Sequence, residues 1–302
     1  MRGAKTLQIN GFVWVLLASI IWGTIGVATQ SIYQNDVASP LFINLMRTLI
    51  ATPVLWGIGW KTVGHSLFRV NRRALGIMCL MGICLVLSQV MYFSAIRYAG
   101  VTISTLMTLC IPPLLVASLA LSLKMETLQP RVIMALVCAL TGCVFIVSMT
   151  PAESLYPDVR LGLFYSLASA IFYAGMLLCG RFVANDYHPL QVTAIGFSAG
   201  AVVLLLMALV TDVVAVQSPQ SWALVVYLGV IPTAFAYWIF QIGLKTVSAT
   251  TASIVVLIDP VVAAGLAWLL FGEILPFTGW MGAGLLLLSL LILGTGKQAA
   301  TN

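Results

Sequence analysis

The sequence predicts an all-α polytopic membrane protein with ten transmembrane helices, built as two inverted five-helix repeats. Three observations carry that expectation: composition, the spacing of apolar runs, and an internal repeat. Of 302 residues, 61% are hydrophobic and 7% charged, against roughly 45–50% and about 25% in soluble domains. The mean hydropathy of +1.09 agrees. Fourteen basic and eight acidic side chains are too few to cover a soluble protein of this length. The net charge of +6 does not point to nucleic acid, because the basic residues lie thinly between apolar stretches.

A bilayer core of about 30 Å takes about 20 apolar residues per helix, and glycine, proline and charge mark the ends. The first span, 10–32, follows Arg2 and Lys5 and stops before Asn35-Asp36. It is too long for the apolar region of a cleaved signal peptide. Pro40 opens the second, 40–60, and Lys61 follows it. Spans 74–97 and 101–123 lie between Arg73 and Lys124, with Gly100 between them. The fifth, 130–149, opens at Pro130, and the sixth, 161–183, follows Arg160. Spans 189–211, 221–244, 248–271 and 277–295 are set off by Pro189, Pro219, Lys245 and Pro276. The short connections leave no room for a soluble domain.

Cytoplasmic loops carry an excess of Lys and Arg. A cytoplasmic N-terminus puts Arg2, Lys5, Lys61, Arg69, Arg72, Arg73, Lys124, Arg131, Arg181, Lys245 and Lys297 inside. Only Arg97 and Arg160 then lie outside, and the even span count returns the C-terminus to the cytoplasm. The 151–160 segment, with Glu153 and Asp158 against Arg160, has the balance of an exported loop.

The two halves of the chain repeat one another. Leu17-Ala18-Ser19 recurs as Leu167-Ala168-Ser169, and Asn35-Asp36 with Pro40 recurs as Asn185-Asp186 with Pro189. Arg97 and Thr102 match Lys245 and Thr250; Ile111-Pro112-Pro113 matches Ile258-Asp259-Pro260; Glu126 matches Glu273. The units are 1–150 and 151–302. Each holds five spans, an odd number, so the two must insert with opposite orientation. Inverted repeats recur in transporters, where they flank one central site. Prolines at matching places in both halves imply broken helices lining a cavity or a neighbour.

These residues also resemble a known family. The run Ile258-Asp259-Pro260-Val261-Val262-Ala263-Ala264-Gly265-Leu266, then Gly272-Glu273 and a glycine-rich last helix, looks like the second repeat of the drug/metabolite transporter superfamily, in its ten-helix, EamA-type branch. Trp22-Gly23, Arg47 and Tyr237 with Gly243-Leu244 are similar to other recurring positions of that family, as are Pro113 and Glu126 of the first repeat. The resemblance covers nearly the whole chain. It implies a bacterial inner-membrane exporter of amino acids or related small metabolites, without a cofactor. Relatives often carry glutamate where this chain has Asp259, and Pro112 stands at the matching place of the first repeat, so no symmetric pair of carboxylates is implied.

Ionisable groups at membrane depth are costly and usually face the interior. Asp259 is the one acid expected in the hydrocarbon. Either it carries a proton or binds an amine, as a coupling residue, or it steadies the proline break. Arg47 either forks onto a substrate carboxylate, pairs with another protein group, or snorkels to the interface. Gln89 and Gln241 face the cavity or join helices, and Thr105 either faces the cavity or bonds a carbonyl of its own helix. Trp22, Tyr92, Phe172, Tyr173, Tyr237 and Trp238 sit at mid-depth, where a cavity or helix packing accounts for them. Gly196 and Gly200 have the spacing of a close helix contact, which would serve a homodimer. Six cysteines fall in apolar stretches without zinc spacing and behave as small hydrophobes.

An intramembrane enzyme is the first competing class. Both histidines, His65 and His188, lie in connections, which leaves no base beside an embedded nucleophile. A channel would want a filter of carbonyls or charged rings. A membrane scaffold or receptor is the remaining alternative. The expected partners are therefore a small-molecule substrate and the lipid bilayer.

Overall fold

The computed structural model describes residues 2–123, 129–147, 159–271 and 277–295, and every regular element among them is helical. The first half holds α1 (Arg2–Asn35), α2 (Pro40–Val63), α3 (Arg72–Ser122) and α4 (Pro130–Val147). The second holds α5 (Val159–Ala184), α6 (Pro189–Ala208), α7 (Pro219–Leu228), a π-helical stretch (Gly229–Phe235) and α8 (Ala236–Gly243). It ends with α9 (Ala249–Val255), a 3-10 turn (Val256–Ile258), α10 (Asp259–Phe271) and α11 (Phe277–Thr295). Ser39 before Pro40 and Ser218 before Pro219 cap α2 and α7 by accepting from Phe42 N–H and Ser221 N–H. A hydroxyl cap followed by proline at the first helical position is a strong start signal.

Among the described residues, seven helical segments are long and apolar enough to cross a bilayer: Gly11–Asn35, Pro40–Phe68, Arg72–Ala95, Arg160–Ala184, Pro189–Ala208, Pro219–Gly243 and Ala249–Leu270. Three shorter apolar stretches, Cys110–Ser122, Pro130–Gly142 and Phe277–Leu293, fall where the fourth, fifth and tenth spans are expected. The structure thus carries seven segments of crossing length where the sequence predicts ten. The largest departure is α3. Its 51 residues amount to about 76 Å of helix, more than twice a bilayer core. Helical backbone runs through the connection expected at 98–100, where Gly100 opposes it at about 1 kcal/mol and β-branched Val101, Thr102 and Ile103 add smaller costs. Pro112 and Pro113 also lie inside this helix, so the break expected there is not present.

The first helix of each half packs into the other half. α1 lies on α7 to α10, α5 lies along α3, α2 faces α6, and α4 pairs with α11. The ends dock reciprocally as well. The α1–α2 connection meets 213–218 through Ser39 and Asp36. The start of α6 meets 66–71, where Gln191 donates to the Leu67 carbonyl at 2.9 Å and Asn71 N–H donates to Tyr187 Oη at 3.4 Å. One core cluster joins Val15, Trp22, Met81, Leu177, Phe240 and Leu257 across both halves. Outside it, Leu206, Leu269, Leu291 and Phe277 are exposed, as suits helices whose outer solvent is lipid.

A Cβ at Gly82 of α3 would overlap the Gly196 carbonyl of α6, and one at Gly200 would lie 3.1 Å from the Gly82 carbonyl. The close contact of Gly196 and Gly200 is therefore spent inside the chain, on α3, and is not a face for a second copy. Cys79, Cys84, Cys138 and Cys179 are free thiols.

Candidate functional site

Five polar side chains from five helices converge in the interior: Arg47 on α2, Gln89 on α3, Tyr173 on α5, Tyr237 on α8 and Asp259 at the start of α10. Arg47 is 7% exposed. Its Nη2 donates to Gln89 Oε1, while its Nε is buried without a partner. Tyr237 hydrogen-bonds to the Gln89 side chain and lies within electrostatic reach of Arg47 and Asp259. Tyr173 lies within the same reach of Tyr237 and Asp259.

Irregular backbone positions two of the five. Pro232 has no N–H to give, and the helix widens to a π turn around it. Such turns free carbonyls and recur at functional sites. The Pro232 carbonyl accepts from Trp22 Nε1 at 2.9 Å, and Thr233 Oγ1 donates to the Leu228 carbonyl at 2.6 Å. Tyr237 follows one turn later. In α9 the helix tightens to a 3-10 turn and restarts at Asp259-Pro260. α1 reaches this restart because residue 23 is glycine. A Cβ there would sit 2.6 Å from Val262 Cβ and 3.0 Å from the Asp259 carbonyl.

Aromatic rings wall the cluster. Trp22 packs at 4.6 Å from Tyr237 and 5.0 Å from Phe240, and Phe197 meets Tyr237 edge-on at 5.1 Å. Trp238 lies 6.0 Å from Phe235, with its indole nitrogen buried and unpartnered. Tyr92 packs on Phe93 at 5.6 Å, and Phe172 packs on the main core. Gln241 is elsewhere engaged: 3% exposed, it donates to the Gly180 carbonyl at 2.7 Å and ties α8 to α5. Thr105 lies outside the residues whose side chains are described.

Two features escaped the sequence reading. Phe197 sits on α6, which is apolar over most of its length, so nothing in its spacing marks the inward face. Ser88 and Ser169 exchange buried hydrogen bonds, each hydroxyl to the other's carbonyl, at 2.9 and 2.7 Å. The repeated Leu-Ala-Ser motif was the available signal for Ser169. Two cavities of about 350 and 380 Å³ lie elsewhere, one beside Cys110 and Leu140, the other beside Trp56 and Phe68. Neither is lined by the polar cluster. Among the described residues no three His, Cys, Asp or Glu side chains group as metal ligands.

The profile of the EamA-like transporter family matches residues 9–148 and 160–295. The uncharacterized transporter YwfM of Bacillus subtilis is 26% identical over 286 residues, covering 95% of this chain and 94% of the relative. An uncharacterized transporter of Archaeoglobus fulgidus is 26% identical over 278 residues, with 92% and 94% covered. The uncharacterized inner membrane transporter YicL of Salmonella typhimurium is 25% identical over 292 residues, with 96% of each covered. A crystal structure of another protein superposes with a TM-score of 0.79 at 21% identity, covering 93% of this chain and 96% of that one. That likeness shows the fold.

Proposed function

The chain belongs to the EamA-like transporter family, and from that premise we propose a secondary-active transporter that exports amino acids or related small zwitterionic metabolites by alternating access. The observation that carries the substrate class is the buried Arg47, whose Nε lacks an acceptor and whose charge faces Tyr237, itself within reach of Asp259. An unmet buried donor costs roughly 1–3 kcal/mol or more, and a substrate carboxylate would meet it. The ammonium end turns toward Asp259 and the faces of Trp22 and Tyr237, where a cation is attracted to the ring. A strongly anionic substrate would want more buried cations than Arg47 alone.

In this reading Gln89 orients the guanidinium, and Tyr92, Thr105, Phe172, Tyr173 and Trp238 line the path. Gln241 holds the adjoining helices, and Asp259 couples transport to a proton. The units 1–150 and 151–302 rock about the cluster as inverted five-helix repeats in a bacterial inner membrane, with both termini cytoplasmic. Ten crossings require the chain to reverse between Ala95 and Cys110.

The test is a substrate panel with purified protein in proteoliposomes, scored with and without a pH gradient. Saturable amino-acid flux that the gradient accelerates is expected. Phosphate-ester exchange without amino-acid flux would reject the substrate class, and single-channel currents would reject the carrier.

A further inference from the structure

A groove of about 380 Å³ opens between α2, α3 and α6, lined by Trp56, Leu67, Phe68, Leu75, Cys79, Ala199 and Val202. Its one hydroxyl, Ser198 Oγ, already accepts from Trp56 Nε1 at 2.9 Å. Phe68, Leu75 and Val202 are exposed, so the groove faces outward, away from the polar cluster. α2 ends at Gly64, whose φ of 61° lets the chain turn, and the 3-10 turn Gly64–Phe68 brings Phe68 back onto Trp56, stacked at 5.3 Å. Trp60 closes the same end, edge-on to His65 at 5.0 Å and to Phe68 at 5.8 Å. Amphipathic aromatics of this kind mark the depth of lipid headgroups.

The same connection carries Lys61, Arg69, Arg72 and Arg73, all exposed. No acidic residue occurs between Asp36 and Glu126. The neighbouring α5–α6 connection brings Asp186, but the last turn of α5 brings Arg181, so the corner stays strongly positive. Arg73 leans over the Phe182 ring at 6.0 Å. An apolar groove ending in aromatics and in cations that no acidic side chain pairs among the described residues matches one ligand chemistry, a hydrocarbon chain joined to a phosphate. Clusters of Lys and Arg beside membrane helices recognise anionic lipid headgroups.

We propose that this groove binds one anionic phospholipid, with an acyl chain along Trp56, Phe68, Leu75 and Val202 and the phosphodiester among Lys61, Arg69 and Arg72. The inference is independent of the transported substrate.

The test uses the full-length protein, purified in an uncharged detergent and delipidated, with native mass spectrometry reading bound lipid. Phosphatidylglycerol should be retained under conditions that strip phosphatidylcholine with the same acyl chains. The combined variant Lys61→Gln, Arg69→Gln, Arg72→Gln should weaken that retention on the order of 10–100-fold. It alters exposed side chains only, and elution as a single species checks its fold. Ala199→Trp, which fills the groove and leaves the cations, should weaken it as well. Inorganic phosphate should not displace the lipid. Equal retention of the two lipids, unchanged retention in the triple variant, or displacement by phosphate alone would each overturn the proposal, the last by revealing a plain anion site.

Discussion

Tyr237 joins the interior polar groups, since it meets Gln89 by a hydrogen bond, Trp22 and Phe197 by ring contact, and Arg47 and Asp259 through their charges. Arg47 and Asp259 were legible in the sequence because a charge within an apolar run is rare and seldom idle. Their mutual placement through Tyr237 was not, since it needs three helices to be packed. Gln241 shows the converse: its depth was legible, but its spending on the Gly180 carbonyl was not. Arg47→Lys keeps the charge and loses the planar fork. It is expected to raise the KM of a zwitterionic substrate on the order of tenfold with kcat little changed, the signature of lost uniform binding. An unchanged KM would return Arg47 to a purely structural part. Asp259→Asn keeps shape and hydrogen bonding but cannot exchange a proton. Transport driven by a pH gradient should collapse while substrate counterflow persists; wild-type rates in the gradient assay would make the acid structural.

The helix starts at Pro40, Pro189 and Pro219 were legible one by one, because proline pre-sets the backbone of the first helical position. Helix interiors were not. Pro112-Pro113, a predicted helix break, sits inside α3, whereas at Pro232 the helix widens to a π turn. Local sequence states that a proline removes a donor, but tertiary partners such as Trp22 decide whether the helix opens there. Gly23 is the tightest element-level constraint on the site. Gly23→Ala should force α1 away from the Asp259 restart, an overpacking worth about 1–3 kcal/mol, visible as a lower melting temperature together with reduced flux. At the outer ends, Asp36 accepts from the Ser218 hydroxyl at 2.6 Å and from Ser218 N–H at 3.0 Å. These bonds hold its carboxyl down at about 2. A lowered carboxylate pKa stabilises the folded contact above the usual value of about 3.9 and loses that support as pH falls toward 2. Spin labels at Val37 and Ala215 should therefore keep one separation from neutral pH to about 4 and move apart below it. Asp36→Ala should show the wider separation at every pH, and an acid response that survives in that variant would assign it to another group.

At the scale of the whole molecule the packing is reciprocal, with α1 set into the second half and α5 into the first; the sequence reading adds an inverted repeat of ten crossings. Composition made the membrane legible, since no arrangement of fourteen basic and eight acidic residues could clothe this chain in water. The number of crossings was harder to read, because Gly100 is a single weak signal for reversing the chain, and α3 runs through it unbroken. The two descriptions differ by one reversal, and that difference is measurable. An α3 that stays straight carries 98 and 122 on one helix without a reversal between them. A reversal at 98–100 puts those residues outside and returns 127 to the cytoplasm. It also sends 151–158 outside and brings Lys297 back in. Charge supports the second course: Lys124 and Arg131 flank 127, while 151–160 carries Glu153 and Asp158 against Arg160, as the retention of basic loops in the cytoplasm requires. Reporter fusions after Tyr98, Thr127, Asp158 and Lys297 should then read outside, inside, outside and inside. The same side after Tyr98 and Thr127, or an outside reading after Lys297, would remove the fourth crossing and with it the inverted relation of the two halves.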